Sequence, residues 1–102
     1  MAIITGRENV MEVYRQARER RWVLPCFNSE NLTTTEAILA AASEYGREAG
    51  MPNVPIMVGI TVRYDHRPQA VHFSHTGRWD TGLRLFLEEL QVLAGAGGPY
   101  EE

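Results

Sequence analysis

The nine residues "VPIMVGITV" at positions 54–62 decide the fold class of this chain. Beyond the proline the run is continuously apolar and carries Ile56, Val58, Ile60 and Val62, all β-branched. An uninterrupted run of this kind, with no polar alternation, reads as a strand covered on both faces, as in a parallel sheet flanked by helices. Gly59 inside it marks a point where another group comes close to the backbone.

Working outward toward the N-terminus, Thr33 and Glu36 are spaced as a capping box. Ile38, Ala41, Ala42, Tyr45 and Ala49 then keep helical spacing until Gly50 and Pro52. The spacing predicts a helix over 33–49. Ahead of it, "WVLPCFN" at 22–28 is a short apolar run that stops at "NSENLTTTE", and it reads as a buried strand. Pro25 removes a ladder donor, so that strand is expected to be irregular or unpaired on one side there. Further back, Thr5 and Glu8 form another capping-box pair, and Val10, Val13, Tyr14 and Ala17 outline one face of a first helix over about 7–21.

On the C-terminal side, Asp80 or Thr81 can cap a third helix carrying Leu83, Phe86, Leu87, Leu90 and Ala94, which "GAGGPYEE" ends. The order is helix, strand, helix, strand, helix, divided into a leading helix (1–21), a first strand-helix unit (22–50) and a second (54–95) with a long loop at 63–80. Strands alternating with amphipathic helices predict an α/β fold with parallel pairing and crossover connections. Two parallel strands leave two open edges and do not cover three helices, so the expectation is a portion of a larger sheet.

The 102 residues carry a net charge of −3, with 44% apolar and 23% charged residues, which fits one globular domain. Mild acidity without a run of Lys or Arg argues against a nucleic-acid footprint or a polybasic membrane patch. No apolar run approaches the ~18 residues of a membrane span, and a cytoplasmic location is the default expectation. Cys26 is the only cysteine, so no internal disulfide and no cysteine-based zinc cage can form, and its apolar setting predicts a buried, inert thiol.

The loop holds all three histidines, His66, His72 and His75. Three readings stay open for it: ordinary solvated or interface histidines, a polar lip of an active site touching phosphate, and metal binding. In "QAVHFSH", Val71 and Phe73 alternate with His72 and Ser74, the pattern of a short extended piece that turns His75 away from His72. Arg63, Arg67 and Arg78 suit phosphate, or they pair with Asp65 and Asp80 as exposed ion pairs. Trp22 and Trp79 are expected to anchor packing, and Met11 and Phe86 to face the core.

The segment "FNSENLTTTEAILAAASEYG", with "ENVMEVYRQARERRWVLPCFN" before it, resembles the N-terminal region of class II, zinc-dependent ketose-bisphosphate aldolases. The resemblance covers about residues 7–95 and rests on the order and spacing of several motifs. It implies the N-terminal portion of a (β/α)8 barrel, a leading helix and two strand-helix units cut before strand three. A whole barrel of this kind runs to about 250 residues. It also implies a phosphorylated sugar as substrate, with Asn28 near that substrate and Thr61 where many members hold a phosphate-contacting Ser. Arg63, Asp65, His66 and Arg67 would then form a lip of the site. The family's zinc is bound by three histidines and works with an acid/base Asp, the first ligand and the Asp forming a "DH" pair at the end of strand three. Asp65 and His66 follow the second strand and are not that pair, so no catalytic residue and no zinc ligand is assigned in this chain, which is expected to be inactive alone. The long 63–80 loop departs from ordinary members. The competing expectation is a non-catalytic α/β module that covers its sheet edges by homo-oligomerisation, with metal bound by His66, His72 and His75. In either case a partner, the remainder of a barrel or a second copy, has to cover the edges.

Overall fold

Two three-residue strands, β1 (Cys26–Asn28) and β2 (Met57–Gly59), form one parallel ladder with Cys26, Phe27 and Asn28 in register with Met57, Val58 and Gly59. The structure is a computed structural model and describes residues 3–51, 53–62 and 69–101. Pro25 ends the ladder on the N-terminal side without leaving it. Having no N–H, it still offers its carbonyl, which accepts the Met57 N–H at 2.9 Å, and at the other end the Gly59 carbonyl accepts from Ser29 at 2.8 Å. The parallel pairing agrees with the sequence; the extent does not. Residues 22–25 and most of 54–62 lie outside the strands.

Helix α1 (Arg7–Arg20) precedes β1, and α2 (Leu32–Ala49) makes the crossover to β2. A short α3 (Gln69–His72) and the long α4 (Trp79–Ala94) follow, packed against each other, and α4 also meets α2. The helix periods were legible, but the caps fall elsewhere. Gly6, with φ of 85°, is the N-cap of α1 and makes no side-chain bond, so Thr5 and Glu8 do not form a capping box; Thr5 instead lends its carbonyl to Asn9 Nδ2 at 3.0 Å. Asn31, not Thr33, caps α2, its Oδ1 accepting the Thr34 N–H at 2.8 Å. Helix α4 starts after Arg78, with Asp80 in its first turn, where a carboxylate favours the helix dipole, rather than at the cap. Gly50 ends α2 in the left-handed conformation, as its position in the sequence implied.

Among the described residues the buried apolar side chains are Ala17, Ala70, Phe86, Leu93 and Ala94. Phe73 meets Phe86 edge to face, with centroids 6.1 Å apart and rings at 85°. The rest of the expected core is open. Cys26, Phe27, Asn28 and Met57 are exposed, which corrects both the doubly covered strands and the buried thiol: among the described residues the sheet has two strands, and no element of them covers that part of it. Met11, Tyr14, Tyr45, Trp79 and Leu87, assigned to the core or to packing, are also exposed, whereas Phe86 is buried as expected. No helix among the described residues is long and apolar enough to cross a membrane.

Candidate functional site

The carboxyl ends of β1 and β2 bring the two resemblance-derived positions to one end of the sheet. Asn28 is exposed there, and its Oδ1 lies 3.3 Å from where a Cβ on Gly59 would stand. Glycine at 59 therefore leaves room for the Asn28 carboxamide to lie across the end of the neighbouring strand, the close approach its place in the run implied.

Thr61 follows β2 and holds α3 in place. Its hydroxyl accepts the Gln69 N–H at 3.1 Å, its own N–H donates to Gln69 Oε1 at 3.0 Å, and its carbonyl accepts the Ala70 N–H at 2.9 Å. This reciprocal pairing winds residues 69–72 into a helical turn, and the extended reading of 71–74 is overturned. Ala70 and Phe73, three apart, then share the face that packs on α4, where Ala70 is 0% exposed. His72 and His75 are both exposed, on α3 and the turn after it. His66, with Arg63, Asp65 and Arg67, lies outside the described residues. Among the described residues no three His, Cys, Asp or Glu side chains gather as a metal site. Arg78 and Asp80 do pair, at 2.7 and 3.2 Å, both exposed, and the Arg78 hydrogen bond lowers the Asp80 pKa.

A polar network immediately behind Asn28 was not anticipated. Ser29 and Thr35 are both fully buried, with their hydroxyl oxygens 2.5 Å apart, and Thr35 donates to Glu89 Oε1 of α4 at 2.5 Å. Ser29 and Thr35 carry one hydroxyl proton each, and the Asn31 carbonyl, which only accepts, lies 3.0 Å from Ser29 Oγ and 3.2 Å from Thr35 Oγ1, so two protons are shared among the contacts of this network. The network ties the end of β1 to the first turn of α2 and the middle of α4. Burial raises the Glu89 pKa; the Thr35 hydrogen bond opposes this, and the nearby Glu36 charge adds to it. The sequence signal was the hydroxyl run "SENLTTTE", read only as a helix start, together with a glutamate placed among the leucines of "LEELQVL".

On the other side of α2, a groove of about 740 Å³ runs between Ile38, Ala41 and Tyr45 and the extended segments 22–27 and 54–56. Its α2 wall is the apolar stripe that the spacing assigned to the core. Comparison with family models, with curated proteins and with solved structures finds no match to this chain.

Proposed function

We propose that this chain supplies the leading helix and first two strand-helix units of a class II ketose-bisphosphate aldolase-like (β/α)8 barrel. In this reading it acts on a phosphorylated sugar, and the zinc ligands and acid/base Asp belong to later strands. The supporting observation is the exposed Asn28 at the carboxyl end of a parallel β1, next to a β2 that ends in glycine. In barrels of this class the carboxyl ends of the strands build the active site. A carboxamide there can donate to one substrate oxygen and accept from a hydroxyl. Thr61 is engaged with Gln69, so a phosphate arriving at this point competes with the anchor of α3. The whole protein is then a lyase, and the 102-residue chain binds substrate without cleaving it.

The test is a titration of the ¹⁵N-labelled chain with fructose 1,6-bisphosphate. Shifts confined to the Asn28 side-chain amide, the Thr61 and Gln69 backbone amides and their neighbours, and lost in Asn28→Ala, are expected. No response at these amides, or aldol cleavage by this chain alone with added zinc, overturns the reading.

A further inference from the structure

The chain exposes 7584 Å² of surface. A folded monomer of 11.5 kDa is expected to expose about 5,800 Å². Its radius of gyration, 14.4 Å, likewise exceeds the value of about 13 Å for a domain of this length. The surplus of about 1,800 Å² is roughly twice what one partner gives to a standard interface and falls within the range of obligate homodimers.

Much of this surplus has an address. The groove beside α2 carries Val23 at 86% and Tyr45 at 58% exposure, with Phe27 also open, and its lining holds no Asp, Glu, Lys or His. Arg21, Thr34 and the Tyr45 hydroxyl are the main polar groups in a lining that is otherwise apolar, fewer than the fixed polar contacts by which a small-molecule site orients its ligand. An interface that is apolar through its centre is instead the signature of paired identical subunits. Alongside the groove runs an open edge: among the described residues β1 has a strand neighbour on one side only. Pro25 O and Ser29 N pair with β2, so by the alternation of a parallel ladder the backbone groups of Cys26 and Asn28 face away from it.

We propose that the groove face and the free edge of β1 together form the interface of a homodimer. A two-fold axis at Phe27 runs the two β1 strands antiparallel and sets Cys26 of each copy opposite Asn28 of the other. All the outward backbone groups of the strand are then paired in a four-stranded sheet. It also puts the two Phe27 rings side by side on one face, flanked by the two α2 helices, as cross-strand aromatic pairs favour. In a closed barrel this same edge of β1 pairs with another strand, so the inference is an alternative to the aldolase reading and does not rest on it.

Light scattering on the 102-residue chain tests it, with a mass twice 11.5 kDa expected. Val23→Asp and Tyr45→Glu, both at exposed positions, should halve the mass while keeping the helical circular dichroism. Val92→Asp, 69% exposed on α4 and outside the groove, should leave the dimer intact. A monomeric wild type overturns the proposal, as does a dimer that survives both groove changes or is lost with Val92→Asp. A nitroxide on Cys26, the only thiol, reads the register without any folding-sensitive substitution. Dipolar broadening between the two labels is expected, and its absence rules out the edge-to-edge arrangement.

Discussion

Thr35 joins three elements through one oxygen. Replacing it by valine keeps the shape, leaves the Glu89 carboxylate without its partner and leaves the Ser29 hydroxyl with the Asn31 carbonyl alone, which should cost about 1–3 kcal/mol in a urea melt. A loss no larger than that of an exposed Thr33→Val would show the network to be dispensable. Glu89 adds a pH dependence whose sign follows from its raised pKa. The native state holds a proton that the unfolded state has already released, so this contribution is full below the ordinary glutamate value and is lost as pH rises through the raised one. Glu89→Gln keeps an acceptor for Thr35 and removes the titration, so the variant should gain on the wild type across that window. A difference that stays constant from acid to neutral pH would remove Glu89 from the account. Glu12 acts in the opposite direction: its hydrogen bond from Arg15, followed by that from Gln16, lowers its pKa to about 2, and that contribution is lost only as pH falls below the usual glutamate range. None of this was legible in the sequence. A hydroxyl in "TTTE" looks the same whether it caps a helix or sits under one, and only the crossing of α4 over the first turn of α2 distinguishes the two.

Helices were the most readable elements because their period is local. α2 and α4 each begin and end within a residue or two of the expected limits; the shift at the start of α2 traces to the residue that caps it, whereas α4 starts after Arg78 with no side-chain cap. Asn31 is the clearest case: Asn31→Ala should lower stability by about 1 kcal/mol, with Thr33→Ala nearly silent, the reverse of what the capping-box reading implies. α3 was missed because its cause is tertiary. It winds where Thr61 grips Gln69, and it fits only because α4 offers a glycine. A Cβ at Gly82 would overlap the Ala70 carbonyl oxygen and stand 2.8 Å from its carbon. Gly82→Ala must therefore push α3 and α4 apart, at a cost of about 1–3 kcal/mol or more despite alanine's better helix propensity. Rapid amide exchange confined to residues 69–73 would identify α3 as the element displaced. A stabilised Gly82→Ala variant would mean that the two helices do not pack this closely in solution.

At the scale of the molecule, the alternation of apolar segments gave the parallel pairing, and the arithmetic of two strands against three helices gave the missing cover. The stripe Ile38, Ala41, Ala42, Tyr45 is apolar because something is meant to lie on it, yet periodicity states only that a face is to be buried and not which chain buries it. If a second copy covers it, folding and association are linked, and stability depends on protein concentration by mass action. The midpoint of thermal unfolding should then rise steadily over a dilution series for the wild type and for Val92→Asp. For Val23→Asp it should be lower and independent of concentration. With so few buried apolar side chains in the isolated chain, its unfolding transition should also broaden on dilution as the cover is lost. A sharp wild-type midpoint that does not move with concentration would mean that the open face is tolerated by a monomer, and that the surplus surface reflects a shape this chain holds unaided.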